Sequence, residues 1–114
     1  MKEIAQIIAG FGLDFYIETY LSKDEAEKAN KEIDKDINSV ISKISDYVEL
    51  NADKEFLNYM EEFYDNQFID YLAHFKLMNG EVVSIDEEIK NFIICCNDIC
   101  KDCVKDIINN ILYN

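Results

Sequence analysis

Proline, tryptophan and arginine do not occur in this chain, glycine occurs three times and histidine once. Each absence excludes something. Without proline, and with so little glycine, an all-β fold lacks the residues that build its turns. Without arginine there is no guanidinium fork for a phosphate or a guanine edge. The eleven bases are all lysine, and twenty-four acids outnumber them to a net charge of −13. Such a chain repels a polyanion and an anionic membrane surface, so neither direct nucleic-acid binding nor membrane docking is expected.

Catalytic signatures are missing as well. There is no glycine-rich phosphate loop, no Walker lysine and no Ser-His-Asp set. No Glu-x-x-His pair is present, so a di-metal carboxylate bundle would lack its ligands. His74, the single histidine, follows Asp70 by one helical turn and is read as a packed or surface residue. The expectation is a protein that is not an enzyme and carries no cofactor. Long apolar runs are also lacking: Ile4 to Leu13 is apolar, but Asp14 and Glu18 interrupt it before the ~20 residues a membrane span needs. Lys2 sits beside Glu3 and no small-x-small cleavage site follows, so no targeting segment is expected and the localisation is read as cytoplasmic.

What is present is helix-forming. About half of the 114 residues are apolar (49%), enough for one core in one domain spanning 1–114. Isoleucine, leucine, lysine and glutamate recur at helical spacing, and the fold class expected is an all-α, compact antiparallel four-helix bundle. The first helix runs from about Lys2 to Leu21 with Ile4, Ile7, Ile8, Phe11, Phe15 and Tyr20 inward. Gly10 and Gly12 weaken its middle, each by about 1 kcal/mol against alanine, and a kink or break is expected there. Ser22-Lys23-Asp24-Glu25 reads as a capping box opening a second helix that continues to about Leu50. Its stripe is Ala26, Ala29, Ile33, Ile37, Val40, Ile41, Ile44, Tyr47 and Val48, while its charged opening, residues 23 to 36, is expected to project beyond the core. Asn51 or Asp53 caps a third helix to about Met78, with Leu57, Met60, Tyr64, Phe68, Tyr71, Leu72 and Phe75 inward. Asn79-Gly80 ends it. Ser84-Ile85-Asp86-Glu87 is a second capping box, opening a last helix through about Leu112.

The cysteines fall in that last helix. Cys96, Cys100 and Cys103 have the spacing C-x-x-x-C-x-x-C, which resembles the cluster-binding signature of radical SAM enzymes. The resemblance would imply three thiolates holding an iron–sulfur cluster. It covers eight residues, and the family sets them in a loop after an early barrel strand rather than in a helical run near a C-terminus. On a helical wheel the three thiols lie within about 60° of one another, on an arc shared with Ile85, Ile89 and Ile107. Cysteine packs there as a small hydrophobe that lets a neighbouring helix approach closely. Metal binding by Cys96, Cys100 and Cys103 is kept as the alternative, with no metal site as the main reading. Cys95 is the fourth thiol, and cysteines three or four apart on a helix stand too far apart for a disulfide.

One window stands out. Residues 46 to 70 hold eight acids (Asp46, Glu49, Asp53, Glu55, Glu61, Glu62, Asp65 and Asp70) against Lys54 alone. Threaded among them are Tyr47, Phe56, Tyr59, Phe63, Tyr64 and Phe68. Projected at 100° per residue, Glu55, Tyr59, Glu62, Asn66 and Asp70 fall opposite the core stripe of the third helix, with Phe63 on the flank. Carboxylates steer a basic partner, and exposed rings supply contact area at low entropy cost. These six residues form the candidate partner-binding face. On the last helix, Ile94, Ile108 and Leu112 point away from the cysteine arc. A helix apolar on two sides is either central in a fold or buried in an oligomer, so these three form a candidate homodimer face.

The leading expectation is a small acidic binding protein that inhibits a basic, nucleic-acid-handling protein such as a nuclease or ribonucleoprotein, its carboxylates occupying a groove meant for phosphates. This profile is similar to that of phage anti-defence proteins such as anti-CRISPRs, of nucleic-acid mimics and of nuclease-toxin immunity proteins. The alternatives are a cysteine-ligated metal or iron–sulfur protein and a helical homodimeric scaffold subunit.

Overall fold

The computed structural model describes residues 2–67 and 87–114. Every regular element among them is an α-helix: α1 (Lys2–Tyr20), α2 (Lys23–Asp34), α3 (Ile37–Asn51), α4 (Lys54–Gln67) and α5 (Glu87–Tyr113). They form an all-α bundle with α5 at its centre, packed on α1, α2 and α3. The bundle has five described helices because the expected second helix is two. Among the described residues no helix is long and apolar enough to cross a membrane. Tyr64 lies within α4, while the stripe from Phe68 to Phe75, the stop at Asn79-Gly80, the capping box from Ser84 and His74 lie outside the described residues.

α1 runs unbroken through both glycines. The reason lies in its neighbour. Ile4, Ala5, Ile8, Ala9, Phe11, Leu13, Tyr16 and Ile17 are buried, and Gly12 presses on α5. A Cβ added at Gly12 would collide with Cys100 Sγ and come within 3.0 Å of the Cys96 carbonyl oxygen. The glycine is there for close approach, and burial along the helix outweighs the local cost of about 1 kcal/mol. Gly10 has no such role, since a Cβ there would find no heavy atom within 4 Å outside its own helix.

α2 opens on the expected capping box. The Glu25 N–H donates to Ser22 Oγ at 3.2 Å, and the Ser22 N–H donates to Glu25 Oε1 at 2.9 Å. The Ser22 backbone N–H first, then the Tyr113 and Ser22 hydroxyls, hold the Glu25 carboxyl below its usual range. The charged opening does not project. Ala29 and Ile33 are buried, the Tyr113 hydroxyl donates to Glu25 Oε2 at 2.9 Å, and Lys28 Nζ donates to the Leu112 carbonyl at 3.2 Å. A cation thus meets the carbonyl end of α5, where the helix dipole favours it.

The break after Asp34 has a local cause. Asp36 leaves the helical region (φ −152°, ψ 60°), and its Oδ1 accepts from the Ser39 N–H at 3.4 Å, an N-cap for α3. The Asp36 N–H closes α2 by donating to the Ile33 carbonyl at 3.0 Å. Redirected there, the chain buries Ile44, Ser45 and Val48, while Ile37 is left 40% exposed. The apolar stripe expected from Ala26 to Val48 therefore fails at Ile37, where the two helices change direction.

Candidate functional site

Asp53 rather than Asn51 starts α4, because its Oδ1 accepts the Glu55 N–H at 2.9 Å and its carbonyl accepts from the Leu57 N–H at 2.9 Å. That start sets the rotation of everything after it. Leu57 and Met60 are buried against the core, 1% and 2% exposed, each contributing about 1.5–3 kcal/mol by removal from water. With those two inward, the 100° step turns Phe56 and Phe63 to one flank and Tyr59 to the rim.

The rings on that flank form a ladder. Phe56 and Tyr59 stack at 6.3 Å between centroids, Tyr59 and Phe63 at 6.2 Å, and Phe63 and Phe92 of α5 at 5.6 Å. Tyr59 is 62% exposed. Behind the ladder lies an open groove of about 400 Å³, walled by Phe56, Tyr59, Met60 and Phe63 from α4 and by Asn91, Phe92 and Cys95 from α5. Large rings hold the α4 and α5 backbones apart among the described residues, whereas α1 and α5 lie in close contact.

Acids rim this groove. Glu55 and Glu62 are exposed, about 40° and 60° round α4 from Tyr59, whereas the half-buried Glu61 lies on the opposite side of α4 and is not part of the rim. On α5, burial and the charge of Asp98 both raise the Cys95 thiol above its ordinary value. The bases point elsewhere: Lys54 lies about 140° from Tyr59, and Lys90 about 140° from Cys95, around their helices. The groove is therefore walled mainly by rings, with the Asn91 amide and the Tyr59 hydroxyl among them, and negative at its edge, an arrangement able to bind a cationic, partly apolar surface.

Of the six residues expected to face a partner, Glu55, Tyr59 and Glu62 are exposed together, and Phe63 is half-buried where it stacks on Phe92. Asn66 falls in the last turn of α4, and Asp70 lies outside the described residues. Asn91, Phe92 and Cys95 were not expected in the site. Nothing in the local sequence marks them, since Phe92 reads as one more apolar residue and Cys95 as one more thiol. Only the apposition of α5 with α4 assigns them a wall.

The candidate dimer face is corrected in part. Ile108 is fully buried within the chain (0% exposed), Leu112 is half-buried, and Ile94 is 36% exposed. α5 is apolar on two sides because α1, α2 and α3 cover it, which makes it the central helix.

The thiols are all free and divide among different surroundings. Cys96 and Cys100 are buried beneath Gly12, with the Cys100 thiol donating to the Cys96 carbonyl at 3.0 Å. Burial drives Cys96 well above the ordinary thiol range and Cys100 to about 12. Cys103 is half-buried near Asp106 and Lys43, its thiol raised first by burial. Among the described residues no group of three or more histidine, cysteine or acidic side chains is placed to hold a metal ion.

Comparison of the chain with family models, curated proteins and solved structures finds no match.

Proposed function

We propose that this chain is a non-enzymatic binding protein whose α4 strip grips a basic protein, a nuclease or ribonucleoprotein, and inhibits it by occupying a surface meant for phosphates. The observation that carries the reading is Tyr59. It stands 62% exposed between two stacked rings, with the carboxylates of Glu55 and Glu62 exposed beside it. Stacked rings with an open face beside a groove offer preordered contact area, which a binding surface buries at low entropy cost. The carboxylates add long-range steering, able to raise association rates by 10–10³ and sensitive to salt.

The test is affinity capture from the native host with the wild-type chain and with Glu55→Lys/Glu62→Lys, followed by titration of the captured protein. The expected partner is strongly basic, dissociates as salt is raised, and binds the doubly reversed variant more than about tenfold less tightly at physiological salt. A partner of acidic charge, or an affinity unchanged by the reversal, refutes the reading. The anti-defence, nucleic-acid-mimic and toxin-immunity forms differ in what is captured: a defence nuclease or its ribonucleoprotein, any of several nucleic-acid-binding proteins, or a single toxin.

A further inference from the structure

The acidic strip accounts for the charge of the site but not for its shape. The α4 wall of the groove is Phe56, Tyr59, Met60 and Phe63, positions i, i+3, i+4 and i+7. They span about 10.5 Å at 1.5 Å per residue, two helical turns. That is the repeat on which an amphipathic helix presents its own anchors. The opposite wall, on α5, is helical too, and a third helix settles its ridges into the furrow between two others at ordinary interhelical distances. The rival geometries fit less well. A bound strand needs a sheet edge to pair with, and the described residues contain no strand. A cage for one methylated ammonium needs rings turned around a point, whereas these α4 rings lie nearly parallel, 24° and 10° apart.

Charge then selects the helix. The groove is edged by exposed Glu55 and Glu62 on one side and by exposed Asp98 on the other, with the nearest lysines of both helices turned away. We infer that the groove takes a cationic amphipathic helix of the partner protein. The apolar stripe of that helix lies on Phe56, Tyr59 and Phe63, with the buried Phe92 as the floor beneath Phe63, and its flanking lysines or arginines meet Glu55, Glu62 and Asp98. This rests on the reading of α4 as the partner-binding surface and adds the conformation of what binds there.

The experiment titrates the full chain by calorimetry with three probes: a two-heptad leucine–lysine peptide of helical period, a scrambled peptide of the same composition, and oligolysine. The helical-period peptide is expected to bind one to one, and the scrambled peptide at least about tenfold more weakly. Tyr59→Ala, and Asn91→Trp filling the groove from an exposed position, should each weaken the helical peptide about tenfold and leave oligolysine unchanged. Circular dichroism confirms that both variants fold. The bound helix should also slow alkylation of Cys95 but not of Cys103, read by peptide mass mapping.

Equal binding of the scrambled and helical peptides overturns the inference, as does helical-peptide binding that survives both substitutions. In either case the acidic-strip reading stands as long as Glu55→Lys/Glu62→Lys abolishes oligolysine binding. Failure of all three probes overturns both. A complex containing two copies of the chain, seen by light scattering, assigns the groove to a second copy and also overturns the inference.

Discussion

Helix α5 meets two neighbours in opposite ways. Toward α1 it presents Cys96 and Cys100 to Gly12, side chains so small that a Cβ at position 12 has no room. Toward α4 it presents Phe92 to Phe63, and the ring ladder keeps the helices apart over a groove of about 400 Å³. Small residues let backbones approach until nothing is left uncovered, and that seam works only for stability. Large rings bury one face against each other and leave another in water, so that seam is stable and still available to a partner. Where the side chains are small the protein is closed, and where they are large it is open.

The sharpest way to break this contrast is to put a large residue into the closed seam. Gly12→Leu should unfold the protein or cost more than about 3 kcal/mol, because overpacking alone costs 1–3 kcal/mol when the surroundings can shift and here one wall is backbone. Urea denaturation reads the effect. In a double-mutant cycle, Cys100→Ala should recover part of the milder loss in Gly12→Ala, since the colliding Sγ is then gone. Additive losses would mean the seam is not where the glycine acts.

A second effect comes from the thiols of the same seam. Burial raises both folded-state values, Cys100 to about 12 and Cys96 well above the ordinary thiol range. Unfolded thiols lose their protons first as pH rises, so the stability these groups contribute is complete below about pH 9 and is lost between there and about 12. Denaturation midpoints should fall from pH 9 upward, with a slope of up to about 1.4 kcal/mol per pH unit for each thiol. Cys96→Ala/Cys100→Ala should flatten that slope. A Cys95→Ala control, in the open seam, should change it less.

A third substitution separates the two glycines. Gly10→Ala should stabilise the chain by about 1 kcal/mol, seen as a higher melting temperature, because the site is empty and the helix gains. The smallest effect belongs to the open seam: Tyr59→Ala should change stability by no more than about 0.5 kcal/mol in urea while removing most of the affinity for a basic partner. A large loss of stability would place Tyr59 among the structural residues and close the contrast.

Much of this was legible along the chain. The capping box at Ser22 and Glu25 forms as its spacing implies, because its bonds are local. Leu57 and Met60 point inward and Tyr59 outward, because rotation about a helix follows from counting residues. The stop at Asp36 was legible in principle too. Aspartate is a favoured N-cap residue, but the apolar stripe continuing through Ile37 has the spacing of one uninterrupted helix.

Other features had no one-dimensional signature. Gly12 and Gly10 are the same residue two positions apart, and only the neighbour on α5 makes one indispensable and the other replaceable. Ile108 points away from the cysteine arc, and only the packing of three helices around α5 buries it within the chain.

Composition and periodicity alone determined that the protein is helical, acidic and equipped with a ringed, negative strip on α4, because charge totals and the 3.6-residue repeat are properties of the chain itself. Which side of α5 is sealed, and which opens into a groove with Asn91, Phe92 and Cys95 as its second wall, was decided only by tertiary structure. Contacts between helices depend on side-chain sizes from distant segments meeting at one point, and no residue carries that information by itself.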